Sequence, residues 1–259
     1  ICESTYGSVK HDSLPQDENT LLSIIEDTCV HNRGKLLIPA FSVGRTQEIV
    51  HTLDKLETER RLPRIPVFVD SPMAVNATEV FRLHPDCFDS EILEYMIDDP
   101  NPFGFSDLKY IRKTVESKKL NKLKGPAIII SASGMMTGGR ILHHLFNHIE
   151  DSRNTILIVG YCADNTLGAK IRRGDKTVDI FGSKLRVNAR VKVMDSYSAH
   201  ADESEIVEYL SNLDQERLKR IFLVHGIPER QGDLRDTLIG EGFINVQIPS
   251  IGDEVELGF

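Results

Sequence analysis

Two histidines, His200 and His225, stand at positions from which a side chain could act on a ligand. His225 ends the apolar run 221–224 and is followed directly by Gly226, while His200 precedes a helical pattern that Asp202 could cap. A histidine at the tip of a buried strand, beside a glycine that leaves space, is suited to ligate a metal or to transfer a proton. Without further context, a structural role fits each of the two better than a catalytic one.

Four loops, at 42–46, 71–74, 131–140 and 161–165, each follow a predicted strand and open a predicted helix. In a parallel sheet such loops meet at the carboxyl edge, where α/β proteins bind ligands. Hydroxyl and guanidinium groups suit phosphate, and the candidate phosphate ligands here are Arg45, Ser131, Ser133 and Arg140. The alternative is that the loops are ordinary turns and caps, where Ser and Gly are common. No loop has a Walker A or G-x-G-x-x-G pattern, which disfavours a nucleotide-driven motor or a dehydrogenase.

The elements that must position these residues alternate along the chain. Short apolar runs of strand length occur at 36–41, 67–70, 127–131 and 155–160. Helical patterns are interspersed with them at 20–32, 46–60, 77–84, 107–120, 140–149, 203–213 and 229–241. Strands that alternate with helices predict an α/β fold in which a largely parallel sheet is covered by helices on both faces.

Composition excludes several classes of protein. With 259 residues, 40% hydrophobic and 27% charged, the chain is expected to be globular and not disordered. Its four scattered cysteines form no C-x-x-C pair, which excludes a disulfide scaffold or zinc finger and favours the cytoplasm. The net charge of −8 argues against coating of nucleic acid through overall positive charge. No apolar run approaches the roughly 20 residues of a membrane span, so no membrane partner is expected.

Six short blocks then occur in a fixed order. They are E-S-T-Y-G at 3–7, P-A-F-S-V-G-R at 39–45, D-S-P-M-A at 70–74, S-A-S-G-M at 131–135, S-A-H-A-D at 198–202 and L-V-H-G at 223–226. In this series the chain resembles the β-CASP branch of the metallo-β-lactamase-fold nucleases. It is most similar to the group of the pre-mRNA cleavage and polyadenylation endonuclease subunit and its bacterial and archaeal relatives, and resembles ribonuclease J less.

The resemblance implies both a domain plan and roles for individual residues. Residues 9–195 would form the β-CASP domain, inserted into a metallo-β-lactamase-like domain to which 1–8 and 196–259 belong. Glu3 would be the acidic motif A that holds His200, the motif B histidine that faces the scissile phosphate. His225 would be motif C, a ligand of two zinc ions. The implied activity is zinc-dependent hydrolysis of RNA in a cleft between the domains, with the loop residues Arg45, Ser131, Ser133 and Arg140 holding substrate phosphates.

One departure from the family pattern limits this expectation. The family's H-x-H-x-D-H motif, which supplies most zinc ligands, is absent, and the chain begins at Ile1, almost on the motif A strand. We therefore expect a fragment that does not fully bind two zinc ions and is inactive by itself. Its expected partners are the RNA substrate and the missing N-terminal lactamase half of the same protein, and a homodimer is left open.

Two other interpretations remain open. A catalytically silent paralogue could serve as an RNA-binding or scaffold subunit, although it would have no chemical need to retain Glu3, His200 and His225. An unrelated α/β domain could bind a small phosphorylated ligand, and it would then show no affinity for RNA.

Overall fold

The structure, a computed structural model, describes residues 1–10, 14–194, 200–214 and 216–256, with the side chains of 14–17 excepted. The chain divides into two compact units, Ile1–His11 with Ala199–Phe259, and Asp12–Ser198. The predicted boundary between residues 195 and 196 lies outside the described residues. The assignment of 1–8 and 196–259 to a lactamase-like domain and of 9–195 to a β-CASP domain stays a prediction.

The larger unit is built on a six-stranded sheet in the order β4-β3-β5-β2-β6-β9, and its strands pair in parallel. In chain order the strands are β2 (Lys35–Pro39), β3 (Val67–Val69), β4 (Leu108–Tyr110), β5 (Ala127–Ser131), β6 (Thr155–Ile158) and β9 (Arg190–Val193). Every residue of the central strands β2, β5 and β6 is buried. Continuous burial is what a strand covered on both faces requires, and it explains why these strands are apolar runs without alternation.

Helices cover both faces of this sheet, as the sequence predicts. The helices of the larger unit are α1 (Leu14–Ile25), which continues into a π-helical turn at Glu26–His31, α2 (Arg45–Thr58), α3 (Pro72–Leu83), α4 (Ser90–Asp98), α5 (Thr114–Leu120), α6 (Ile141–His148) and α7 (Leu167–Arg173). None of the residues of α4 is buried. On one face Leu36 and Ile38 of β2 pack with Leu21 of α1 and Leu53 of α2. On the other face Leu37 packs with residues of α5, α6 and α7, among them Leu120, Leu145 and Ile171. The predicted α/β class is confirmed.

One local prediction is wrong, and several elements were not predicted. The helix expected over 107–120 begins only at Thr114, because Leu108–Tyr110 pairs with β3 as the edge strand β4. The unpredicted elements are the helices α4 and α7 and an antiparallel hairpin of β7 (Thr177–Ile180) and β8 (Ser183–Arg186).

The smaller unit is a three-stranded parallel sheet in the order β1-β10-β11, formed by Cys2–Glu3, Ile221–Val224 and Val246–Gln247. Its helices are α8 (Glu203–Ser211) and α9 (Pro228–Gly240), which pack on the sheet through Ile206, Leu210, Leu234 and Leu238. Asp202 and Glu205 form a reciprocal capping box at the start of α8. This box fixes the chain immediately after His200.

The described residues contain no helix that combines the length and the apolar character of a membrane span.

Candidate active site

Glu3, His200 and His225 lie together in the smaller unit. Each offers a nitrogen or oxygen atom within 4.8 Å of the atoms offered by the other two, and the two imidazole rings have centroids 5.1 Å apart. The sheet register explains the meeting, because Glu3 lies opposite Val224 in the parallel pair β1–β10. The residue after Val224 therefore stands beside the carboxyl end of β1.

Both carboxylate oxygens of Glu3 accept hydrogen bonds. Oε2 lies 3.0 Å from Nδ1 of His200 and 3.2 Å from the backbone N–H of Thr5, and Oε1 accepts from the N–H of Ala201 at 3.1 Å. Burial raises the pKa of the Glu3 carboxyl, but hydrogen bonds from Thr5 and the adjacent His200 ring outweigh burial and hold the pKa below its ordinary value. Glu3 is thus arranged as an ionised group that orients His200.

His225 projects from a turn that the sequence constrains closely. Its φ of 56° lies in the left-handed region, and its side chain is exposed. A Cβ atom at the following Gly226 would lie 2.6 Å from both the carbonyl and the hydroxyl oxygen of Ser4, so only glycine fits there. The Ser4 hydroxyl also donates to the carbonyl of Val224 at 2.7 Å, which ties the two strand ends together.

Other side chains support this site, and the sequence assigned no role to Thr5, Arg230 or Gln231. The Thr5 hydroxyl contacts both the backbone and the ring of His225. From α9, Arg230 donates to the carbonyl of Thr5 at 2.7 Å, and Gln231 donates to the Ser4 hydroxyl at 3.3 Å. Thr5 lies inside the block at 3–7, which is the one signal in the sequence that could have marked it.

The donor set fits a metal only in part. Zinc in proteins takes at least three protein ligands, and this cluster is the only group of three His, Cys, Asp or Glu residues so arranged in the described part of the chain. Both oxygens of Glu3 already accept hydrogen bonds from protein donors, whereas the exposed ring of His225 presents its second nitrogen away from Thr5. The described residues therefore fit His225 as one ligand of a metal site, and they do not complete a zinc ligand set.

Three of the four predicted loops of the larger unit meet at one hollow, and the loop at 161–165 does not line it. Those that follow β2, β3 and β5 surround a hollow of about 360 Å³ lined by Phe41, Ser42, Val43, Met73, Ala132 and Ser133. The four candidate phosphate ligands, however, all make contacts within the protein. Arg45 is buried and pairs with Glu48, the buried Ser131 hydroxyl donates to the carbonyl of Asp70, and the Ser133 hydroxyl accepts from backbone N–H groups of its own loop.

Arg140 belongs to a buried network around Asp70. Oδ1 of Asp70 pairs with Arg140 at 2.7 Å, while Oδ2 accepts from His144 at 2.7 Å and from Ser117 at 2.6 Å. Burial raises the pKa of Asp70, yet the hydrogen bonds from His144, Ser117 and Arg140 outweigh it and hold the pKa below its ordinary value. These contacts favour a structural role for Arg140 and Ser131, and their role in phosphate binding stays a prediction.

Comparisons with known proteins cover most of the chain. Family models of the Beta-Casp domain and of the Zn-dependent metallo-hydrolase RNA specificity domain match residues 46–171 and 184–249. The chain is 35% identical to a ribonuclease of Thermus thermophilus over 89% of its own length, and 31% identical to transcription termination factor FttA of Methanosarcina mazei over 92%. An RNase J-like protein of Methanocaldococcus jannaschii is 32% identical over 87% of the chain. The matches span 52%, 38% and 51% of these relatives, so the chain covers about half of their length or less.

Proposed function

Because the chain belongs to the β-CASP family of metallo-β-lactamase-fold nucleases, we propose that it acts in the zinc-dependent hydrolysis of RNA phosphodiester bonds. The observation that carries this proposal is the arrangement of Glu3, His200 and His225, in which one histidine is held by a carboxylate and the other leaves a ring nitrogen exposed. A carboxylate-held histidine suits proton transfer, and an exposed imidazole suits a metal.

In this proposal the two histidines have different tasks. Nδ1 of His200 donates a hydrogen bond to the carboxylate of Glu3, and this bond directs Nε2 toward the substrate. In its doubly protonated form, with one proton on Nδ1 and one on Nε2, His200 donates from Nε2 a hydrogen bond to the scissile phosphate or a proton to the leaving oxygen. His225 would hold metal. Bound zinc would supply an activated water and polarise a phosphate oxygen.

We also propose that the carboxyl-edge loops of the larger unit contact the RNA backbone. The candidates remain Arg45, Ser131, Ser133 and Arg140. Because each arginine already pairs with a carboxylate, it adds little net positive charge to a phosphate site. We therefore expect each arginine to contribute less to phosphate binding than an unpaired arginine would.

A variant of Glu3 tests the proposed activity. In the full-length natural protein with zinc, a labelled single-stranded RNA should be cleaved, and a chelator should stop the cleavage. Glu3→Gln places an amide where two backbone N–H groups and His200 need an acceptor, so turnover should fall by about 10²–10⁴-fold. The exposed Glu116 offers the matched control, Glu116→Gln, which should cleave at the parent rate. Undiminished cleavage by Glu3→Gln, or cleavage unaffected by the chelator, would contradict the proposal.

A further inference from the structure

We propose that Thr5 is a positioning residue that holds neutral His225 in the tautomer protonated at Nδ1, so that Nε2 presents its lone pair. The inference rests on the proposed function for the use of that lone pair, which is to bind metal. The tautomer itself follows from hydrogen bonds within the smaller unit.

The key observation is that one hydroxyl oxygen has two partners on the same residue. Oγ1 of Thr5 lies 2.9 Å from the backbone carbonyl oxygen of His225 and 3.1 Å from its ring Nδ1. A carbonyl oxygen can only accept a hydrogen bond, and a threonine hydroxyl has a single proton to donate. The Thr5 side chain also hydrogen-bonds to the carboxylate of Glu3, which is likewise only an acceptor. Whichever of these two groups receives the proton, the hydroxyl can only accept from the ring. Nδ1 must then carry the hydrogen, and Nε2 is left unprotonated.

Thr5 itself has little freedom to turn away. Its residue is buried, its N–H donates to Oε2 of Glu3 at 3.2 Å, and its carbonyl accepts from Arg230 at 2.7 Å. A β-branched side chain also has few rotamers open to it. The hydroxyl is therefore fixed in space before any ligand arrives.

The backbone of His225 needs this support. A non-glycine residue in the left-handed region is disfavoured because its Cβ lies too close to the following carbonyl oxygen, and His225 occupies that region with φ of 56°. The hydrogen bond from Thr5 to its carbonyl stabilises the turn, while the bond from Nδ1 sets the ring orientation. Because the side chain is otherwise exposed, free rotation would spread Nε2 over many directions. One hydroxyl thus fixes the backbone, the ring plane and the tautomer.

The chemical consequence concerns metal affinity. A histidine binds metal through an unprotonated ring nitrogen, and the hydrogen bond made by the other nitrogen fixes which one is available. Loss of such a supporting partner typically weakens metal binding by about 10–100-fold. Thr5 therefore links both histidines of the site, through its N–H and Glu3 to His200, and through its hydroxyl to His225.

The test reads the tautomer directly, without metal or RNA. ¹⁵N NMR distinguishes protonated from unprotonated ring nitrogens, and His225→Gln assigns the His225 signals in the 259-residue chain. At about pH 8.5, above the ordinary histidine pKa of about 6.5, the parent chain should show Nδ1 protonated. Thr5→Val should give a mixture of both tautomers, and Thr5→Ser should restore the parent pattern. Thr28→Val, the same change at a buried threonine of the larger unit, should leave His225 unchanged.

These outcomes separate the inference from the proposed function. An Nδ1-protonated ring that is lost in Thr5→Val supports the inference whether or not RNA is cleaved. A parent ring protonated at Nε2, or a Thr5→Val ring that keeps the parent tautomer, overturns it even if RNA is cleaved. If Thr5→Val does not fold, the parent spectrum and Thr5→Ser decide. In the full-length natural protein, zinc affinity should fall about 10–100-fold in Thr5→Val and stay near the parent value in Thr5→Ser.

Discussion

Asp54 and Glu3 are two carboxylates whose pKa values move in opposite directions for reasons that their neighbours explain. Hydrogen bonds from the side chain and backbone of Thr5, together with the adjacent His200 ring, outweigh burial and lower the pKa of Glu3. Asp54, fully buried on α2, accepts a hydrogen bond from the Tyr95 hydroxyl at 2.7 Å, and its Oδ1 has no partner among the described residues. Burial therefore dominates and raises the pKa of Asp54 to about 7. The surroundings of Glu3 therefore favour its ionised form, whereas ionisation of the buried Asp54 destabilises the folded protein.

The raised pKa of Asp54 predicts a pH-dependent effect of Asp54→Asn. Between the ordinary value of about 3.9 and about 7, the folded state keeps a proton that the unfolded state has lost. Its contribution to stability therefore falls as pH rises through this window. Asparagine retains an acceptor for Tyr95 and does not titrate. Relative to the parent, Asp54→Asn should gain about 1–3 kcal/mol in unfolding free energy between pH 4 and pH 8, measured by urea denaturation.

Asp86→Asn is the control, because it makes the same substitution at a position where the side chain is exposed to water. A difference between Asp54→Asn and the parent that stays flat from pH 4 to pH 8 would show that Asp54 is ionised throughout.

The residues of the site were predictable to different degrees. Glu3, His200 and His225 could be marked from short sequence blocks, although they come together only through the parallel pairing of β1 with β10. Thr5 could not be assigned a role in this way. The contacts of Thr5 depend on the left-handed backbone of His225, and a histidine in the sequence does not indicate such a conformation.

At the scale of elements, side chains from several helices meet around the carboxylate of Asp70 at the carboxyl edge of the larger sheet. Asp70 directly follows β3, and its partners come from α5, α6 and the residue before α6. The sequence predicted that these loops meet, which parallel strands require. It did not predict that the buried carboxylate of Asp70 would pair with Arg140, as an uncompensated buried charge is costly.

Asp70→Asn should therefore destabilise the protein strongly. The substitution removes the charge that Arg140 pairs with and places an amide beside His144 and Ser117, which both donate to Oδ2. Breaking a buried pair by removing one partner costs about 3–5 kcal/mol. The unfolding free energy from urea denaturation should fall by this amount, while the exposed Asp86→Asn should stay near the parent. An Asp70→Asn protein as stable as Asp86→Asn would show that the network contributes little.

The strands that were predicted correctly from the sequence are those that are buried on both faces. β2, β5 and β6 are covered on both faces, so they read as apolar runs and were found. β4 has only three residues and lies at the sheet edge, where a short run cannot be separated from a helical pattern. The β7–β8 hairpin did carry a signal in the sequence, since residues 177–180 alternate between polar and apolar types and Gly182 follows them. In the structure these residues alternate in burial, and Phe181 and Gly182 take the positive φ of a tight hairpin turn.

At the scale of the whole molecule, the chain combines two compact units with different chemistry. The smaller unit holds an oriented histidine and an exposed one, while the larger unit holds a loop edge whose charged groups pair with one another. With a net charge of −8, overall attraction would not account for the proposed RNA binding, so an RNA substrate would have to be recognised by local groups. We therefore propose that the two histidines of the smaller unit have separate roles. His225 binds metal, and His200 acts on the phosphate.

The most direct test of this claim measures bound zinc and RNA hydrolysis together in the full-length natural protein. His225→Ala should lose zinc and turnover in parallel, because it removes a ligand. His200→Ala should keep the zinc content of the parent after dialysis and still bind RNA, while its turnover falls by at least about 10²-fold. The exposed His31→Ala serves as the matched control and should change neither quantity. Equal loss of zinc from His200→Ala and His225→Ala would contradict the proposal that only His225 binds metal.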